Sequence, residues 1–397
     1  MREVKNPYCV VIKPIGPACN LSCSYCFYLG KTKLYPETNN FKITDNVLET
    51  FIENYLKQET DEITFIWQGG EPTLLGVEFF KKVVSLQKEY NKGKRIQNSL
   101  QTNGTLIDDN WAEFFKENNF LVGISLDGPE RLHDVYRRDK KGNGSFPKVM
   151  KAIDKLYEYK VDYNILCCVN DKNVKYPKDV YDFLKSEGKT NFWQFIPIVE
   201  RDDYGKLKDF SASSEEFGEF LKDIFKRWVK KDLGRISIQI FDNAFNIYAG
   251  LGATTCIFAE TCGNALAMEH NGDLYSCDHF VDKNHLLGNI LENDLNNLVC
   301  VDKQISFGLS KKTLQPSSCK NCAVNYLCNC ECPKNRFVHI KDEYTNYLCE
   351  GYKSFFTFID PYIRFIVGQI ANGASIKAIS KYIRENEHKI VKQDRFI

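Results

Sequence analysis

Three cysteines stand close together, Cys19, Cys23 and Cys26, in the spacing C-x3-C-x2-C just after the short apolar run Tyr8–Ile12. Thiolates are soft donors that select zinc or iron–sulfur clusters. A structural zinc site takes four protein ligands, usually as paired C-x2-C knuckles. No His or fourth Cys lies nearby to complete that set. A cubane cluster on three thiolates keeps one iron open to bind something else, which points to a working cofactor. Zinc competes with this reading, as does burial of these thiols as small hydrophobes in a strand-to-helix turn.

A second group lies towards the carboxyl end. Cys319-x2-Cys322-x5-Cys328-x3-Cys332 is followed by Cys349 and preceded by Cys256, Cys262 and Cys277. These thiols suffice for two four-ligand sites, and by spacing alone zinc and iron–sulfur are served equally. Cys330 is an extra thiol between Cys328 and Cys332, so the choice between Cys330 and Cys332 stays open, with the x3 spacing favouring Cys332. Cys9, Cys167 and Cys168 fall inside apolar strand-like runs and read as core. Asp278 directly follows Cys277 and places a proton acceptor beside a ligand; the competing reading is an Asp that binds amides. His270 and His279 read as structural.

The bulk properties narrow the partners. With 397 residues, the chain is long enough for one large core or two domains. Its 43% hydrophobic and 26% charged content is that of an ordinary globular protein. The 53 basic and 52 acidic side chains produce no strong field to gather nucleic acid or an anionic membrane, and neither is expected as a partner. The stretch Met1–Pro14 does not fit a signal peptide, and Phe355–Ile370 is too interrupted by Asp360, Pro361 and Arg364 to span a membrane. Sixteen cysteines without a secretion signal argue for a reducing, cytoplasmic setting and for metal over disulfides.

The elements that must position these residues alternate. Strands are expected at Tyr8–Lys13, Glu62–Trp67, Arg95–Gln101, Phe120–Ser125, Val161–Val169 and Asn191–Pro197, most of them continuously apolar as in a buried parallel sheet. Amphipathic helices are expected at Thr44–Gln58, Gly76–Tyr90, Asp108–Asn118, Phe146–Tyr159, Val174–Glu187 and Ser214–Lys231. Six such units close most naturally into an open (β/α)6 barrel. Its chemistry would gather at the carboxyl ends of the strands. There lie the cysteine loop, Gln68-Gly69-Gly70-Glu71-Pro72, Gln101-Thr102-Asn103-Gly104 and Ser125-Leu126-Asp127-Gly128-Pro129. Beyond about residue 235, a strand is expected at Arg235–Phe241, a hairpin with a type I′ turn at Asn271-Gly272, and helices from Leu348 onward, ending in Ser375–Lys392.

The cysteine loop, with Tyr25 before its last cysteine, resembles the radical S-adenosylmethionine (SAM) enzymes. The C-terminal cysteines resemble the SPASM domain that follows the barrel in some of them. Gln68–Leu74, Gln101–Ile107, Gly123–Pro129, Glu269–Phe280, Leu287–Ile290 and Cys332–Phe337 are similar to the anaerobic sulfatase-maturating enzymes, and the likeness covers residue 9 to about 352. The resemblance implies an α/β fold with a radical SAM partial barrel over residues 1–234, a SPASM domain over 235–350 and C-terminal helices over 351–397. It implies three [4Fe–4S] clusters: one on Cys19, Cys23 and Cys26, one on Cys256, Cys262, Cys277 and Cys332, and one on Cys319, Cys322, Cys328 and Cys349. Tyr25, Gly70, Ser125, Arg137 and Val199 are the implied SAM contacts.

The implied reaction is oxidation of a Cys or Ser, in a Cys/Ser-x-Pro-x-Arg motif of an unfolded or nascent sulfatase, to Cα-formylglycine. A 5′-deoxyadenosyl radical would abstract a Cβ hydrogen. An electron donor such as flavodoxin or ferredoxin is expected, with Asp278 as the base. Tyr28, Gln68, Gln101, Asn103 and Asp127 are the polar groups expected to face the substrate, although Tyr28 suits packing equally. The alternative is a SPASM-type peptide maturase that crosslinks a ribosomal peptide. A cluster loop starting at residue 19 leaves no room for the leader-binding domain that many of those carry, which counts against it. A zinc-stabilised binding protein is the non-enzymatic alternative.

Overall fold

The computed structural model of the chain describes residues 7–392. The first six residues of the Met1–Pro14 stretch, and residues 393–397 at the end of the expected C-terminal helices 351–397, lie outside them. Among the described residues twelve strands are formed: β1 Cys9–Ile12, β2 Glu62–Trp67, β3 Arg95–Thr102, β4 Phe120–Ser125, β5 Tyr163–Val169, β6 Phe192–Pro197, β7 Ser237–Ile238, β8 Ala265–Met268, β9 Asp273–Tyr275, β10 Leu286–Asn289, β11 Arg336–Ile340 and β12 Glu343–Asn346. The chain divides into two compact units.

The first unit comprises the chain up to Leu126, His133–Asn164 and Thr261–Ser310. Its sheet runs β10-β9-β8-β1-β2-β3-β4. β1 to β4 are parallel, and β8 joins β1 in parallel with Cys9 opposite Ala265 and Ile12 opposite Met268. Burial alternates along β2, with Ile63, Phe65 and Trp67 inside. Helix α1 (Asp45–Tyr55) begins where Thr44 accepts a hydrogen bond from the Val47 N–H, a side-chain N-cap, and buries Val47, Leu48, Phe51, Ile52 and Tyr55 on one face. Helices α2 (Val77–Tyr90) and α3 (Asp109–Glu117) add the next layer. Phe80 meets Trp67, Trp111 and Phe120 edge-to-face at 5.7 to 6.2 Å, the geometry that aromatic quadrupoles favour.

The second unit holds Asp127–Leu132, Ile165–Glu260 and Lys311 onward. In it β6 pairs in parallel with β5 and β7. The hairpin β11–β12 stands apart as a two-stranded sheet. Helix Ser214–Lys231 packs against helix Cys349–Ala371, with Phe225 against Tyr362 and Phe217 against Tyr352. The last helix, Ile376–Lys392, bends at Asn386 and buries Ile379 and Ile383. No helix among the described residues is long and apolar enough to cross a membrane.

Three local expectations are corrected. The strand expected over Arg235–Phe241 is only two residues long, because the chain turns at Gln239 into helix Gln239–Tyr248, where Ile240, Phe241 and Ala244 share the buried face. The helix expected from Val174 starts at Pro177, a residue whose fixed φ and missing N–H suit the first helical turn. The β8–β9 connection is not a type I′ turn. Of Asn271 and Gly272, only Gly272 takes positive φ (91°), and its N–H closes a four-residue turn onto the Glu269 carbonyl.

Candidate active site

The cysteine loop leaves β1 and is folded back on itself by short backbone bonds. Gly16 N–H donates to the Lys13 carbonyl at 3.0 Å, and Cys26 N–H to the Cys23 carbonyl at 3.0 Å. The neighbouring βα loops hold it from two sides. Gly70 and Glu71 donate their N–H groups to the carbonyls of Gly16 and Ala18 at 2.8 and 2.9 Å. A side chain at position 70 would place its Cβ 1.9 Å from the Ala18 carbonyl oxygen, so only glycine permits this approach. The other wall is the segment after His133, where Ser22 N–H reaches the Arg138 carbonyl at 2.8 Å and Leu21 bridges Asp139.

Several expected site residues come together here. Tyr25 and Arg137 are buried side by side, with the guanidinium over the Tyr25 ring at 5.4 Å and Tyr136 edge-on to the same ring. Ser125 Oγ accepts from Gln101 Nε2 at 3.1 Å, so these two strand-end groups form a pair. Asn103 ties the cysteine loop to β3. Its Nδ2 donates to Asn20 Oδ1 at 2.8 Å and points at Cys19 Sγ at 3.7 Å, while its own N–H is taken by Glu71. Glu71 is buried and accepts from Thr73, Thr102 and Asn103. Burial raises its pKa, and those hydrogen bonds pull it back. The Cys19 thiol is pushed up to about 11 by burial, against the opposing effect of the Leu21 N–H at 3.3 Å.

Asp278 reaches the mouth of the first unit through pairings that no local pattern announces. β8 lies against β1, β9 folds back on β8, and Ser276, Cys277 and Asp278 follow β9. Asp278 Oδ1 lies 2.5 Å from Lys13 Nζ, and the same ammonium donates to Gln68 Oε1 at 3.1 Å. Tyr28 is internal: its ring lies under Lys13 at 4.5 Å and its hydroxyl donates to buried Glu269. Burial, then the Glu269 charge, holds the Tyr28 pKa well above the usual range. His270 sits between the rings of Tyr35 and Phe41, and His279 against Phe27. Lys13 and Glu269 are the residues here to which sequence reasoning assigned no role.

The remaining thiols divide between the units. In the first, Gln304 donates to the carbonyls of Gly263 and Ser276 at 2.7 and 3.2 Å and so draws together the backbones beside Cys262 and Cys277. In the second, Cys319, Cys322, Cys328, Cys330 and Cys349 line one cavity of about 540 Å³. Cys332 is buried and does not line it, and Cys256 lies on the surface of its unit. Lys311, fully buried, donates to the carbonyls of Cys256 and Ile257. Val199 is buried beyond β6. Asp127 is also buried in this unit, with Oδ1 accepting from the Cys168 N–H at 2.9 Å, so its carboxylate is committed to the protein.

Residues 14–184 match the radical SAM superfamily, and residues 256–323 match an iron–sulfur cluster-binding domain. A serine-type anaerobic sulfatase-maturating enzyme of Bacteroides thetaiotaomicron is 42% identical over 97% of both chains. This chain belongs to the anaerobic sulfatase-maturating enzyme family. A cysteine-type member from Clostridium perfringens is 36% identical over 89% of this chain and 97% of its own. A solved structure of native anSMEcpe with bound AdoMet and Kp18Cys peptide superposes with a TM-score of 0.84 at 34% identity, covering 92% of this chain and all of that one. The fold class is thus α/β: a partial (β/α)6 radical SAM barrel followed by the cysteine-rich domain and C-terminal helices.

As a member of this family the chain is a radical SAM enzyme, and its two domains imply SAM and iron–sulfur clusters. Among the described residues no three His, Cys, Asp or Glu side chains already stand at metal-holding distances. The donor sets nonetheless suit the groups. Leu21 N–H and Asn103 Nδ2 point at Cys19 Sγ, the arrangement that favours a thiolate ligand. The five-thiol cavity gathers soft donors in one place.

Proposed function

We propose that this enzyme oxidises a Cys or Ser, in the Cys/Ser-x-Pro-x-Arg motif of an unfolded or nascent sulfatase polypeptide, to Cα-formylglycine. When bound, SAM and the clusters supply a 5′-deoxyadenosyl radical that takes a Cβ hydrogen and an acceptor for the electron that the substrate carbon then loses. The chain's own residues do the rest. Asp278 takes the proton from the target sulfur or oxygen as the C=S or C=O bond forms. A serine thereby gives the aldehyde directly, and a cysteine gives a thioaldehyde that water converts to the aldehyde with loss of hydrogen sulfide. Gln68, beside Asp278 on the same ammonium, orients the target side chain.

The first cluster would be held by Cys19, Cys23 and Cys26, with SAM against Tyr25, Gly70, Ser125, Arg137 and Val199. Two auxiliary clusters would be held by Cys256, Cys262, Cys277 and Cys332, and by Cys319, Cys322, Cys328 and Cys349. This makes three [4Fe–4S] clusters within the division 1–234, 235–350 and 351–397. A flavodoxin or ferredoxin would deliver electrons. Of the expected substrate contacts, Gln68 is the one whose position supports that role most directly. Tyr28, Gln101 and Asn103 are engaged with Glu269, Ser125 and Asn20.

The observation that carries this reading is the carboxylate of Asp278, 2.5 Å from Lys13 Nζ at the end of the strand that leads into the three-cysteine loop. The test is anaerobic incubation with SAM, a reductant and short peptides carrying Cys-x-Pro-x-Arg or Ser-x-Pro-x-Arg. Mass spectrometry should find the aldehyde in at least one. If 5′-deoxyadenosine accumulates while both peptides stay unmodified, the sulfatase assignment is wrong and only the radical chemistry stands.

A further inference from the structure

We infer that Lys13 is the positioning residue of the oxidation, holding Asp278 and Gln68 as one unit that faces the target side chain. The inference rests on the reading of Asp278 as the base and goes one residue beyond it. Lysine is almost never fully buried unless paired, yet Lys13 is 1% exposed. Its ammonium has three donors, and three acceptors surround it: Asp278 Oδ1 at 2.5 Å, Gln68 Oε1 at 3.1 Å and the Tyr28 ring at 4.5 Å.

Its backbone is fixed as tightly as its head. Lys13 N–H donates to the Met268 carbonyl of β8 at 2.8 Å, and Gln68, the residue just after β2, donates its N–H to the Ile12 carbonyl at 2.9 Å. The ammonium therefore stands at a point set by three strands, at the end where the cysteine loop begins. Asp278, by contrast, sits at the start of a short 3-10 turn, Asp278–Phe280, and its side chain is 20% exposed. The rigid partner orients the looser one.

A purely stabilising role accounts poorly for this arrangement. Replacing a buried ion pair by apolar side chains of similar size is often neutral or stabilising, because the pair must first repay the desolvation of both charges. A lysine kept dry at a reaction mouth, touching both the proton acceptor and its amide neighbour, is better explained by geometry needed for chemistry. An error of about 1 Å in such geometry costs about 10²-fold in rate.

The test compares Lys13→Met, Lys13→Arg, Asp278→Asn and the double variant Lys13→Met/Asp278→Asn in the full chain loaded with its clusters. Aldehyde and 5′-deoxyadenosine are counted separately, with iron content and circular dichroism as controls for folding. Lys13→Met should lower aldehyde formation about 10²-fold and raise the number of 5′-deoxyadenosine molecules spent per aldehyde. Lys13→Arg should recover part of the coupling. Because Lys13 acts through Asp278 and Gln68, the double variant should lose little more than Asp278→Asn alone, well short of the product of the two single losses.

Losses that multiply in the double variant would overturn the inference, as would normal coupling in Lys13→Met. If Lys13→Met loses iron or fold, Lys13→Gln replaces it, and loss of fold in both neutral variants would make Lys13 a structural residue and end the proposal. Wild-type aldehyde formation by Asp278→Asn would instead remove the base assignment, an outcome read from a different variant.

Discussion

At the scale of single residues, a carboxylate beside a proposed cysteine ligand is easy to see in the sequence, but its partners are not. Asp278 follows Cys277 and invites the role of base, whereas Lys13 is visible only as a charge that ends an apolar run. It becomes meaningful once β8 is known to pair with β1, since that pairing helps bring Lys13 and Asp278, 265 positions apart, to one point. The same blindness affected the strand-end amides. Gln101 and Asn103 have the right chemistry for a peptide backbone, and the structure commits them to Ser125 and to the cysteine loop. Asp278→Asn keeps the shape of the side chain and removes its basicity. It should depress aldehyde formation by about 10²- to 10⁴-fold while 5′-deoxyadenosine still forms. Quantifying both products in one reaction checks this, and equal losses of the two would place Asp278 in SAM binding.

At the scale of elements, the parallel strands and their amphipathic helices were legible because each buries a repeating pattern: alternation along β2, and a face of Val47, Leu48, Phe51, Ile52 and Tyr55 on α1. The segment after residue 235 was not, because Ile236, Ile238 and Ile240 fit a strand period while Phe241 and Ala244 fit a helical one, and tertiary packing decided between them. Just before it lies a joint whose strength is electrostatic. Asp232 is buried between helices Pro177–Glu187 and Ser214–Lys231, bonded by Lys185 at 2.8 Å, Tyr181 at 2.6 Å and Arg235 at 2.5 Å. Burial alone would raise its pKa, but these donors outweigh it and leave the carboxyl below the usual range. A depressed carboxylate contributes stability above its unfolded pKa of about 3.9 and loses it as the pH falls through the folded value. Asp232→Asn should therefore cost about 1–3 kcal/mol at neutral pH, with the gap to wild type closing below about pH 4. Anaerobic urea unfolding at a series of pH values measures it, and a gap that does not change with pH would mean the loss is one of packing.

At the scale of the whole molecule, the cysteines fall into sets that can be emptied one at a time. The three four-iron clusters proposed above would amount to about twelve irons per chain. Cys26→Ala should leave about eight and abolish 5′-deoxyadenosine formation, because an iron with an open position is where SAM must dock. Cys328→Ala should also leave about eight, yet preserve 5′-deoxyadenosine formation, since Cys328 belongs to a cavity that shares no lining residue with the cysteine loop. Cys330 is the instructive contrast. It lines that same cavity, and its backbone is left-handed at φ 58°, a strained conformation for a residue with a side chain. The cavity contains the four expected ligands without it, so Cys330→Ala should retain all of about twelve irons. Iron and sulfide assays on the three variants, read against the electron paramagnetic resonance of each reduced protein, separate these cases. A loss of four irons from Cys330→Ala would make it a ligand, and one of the other four thiols would have to leave the set.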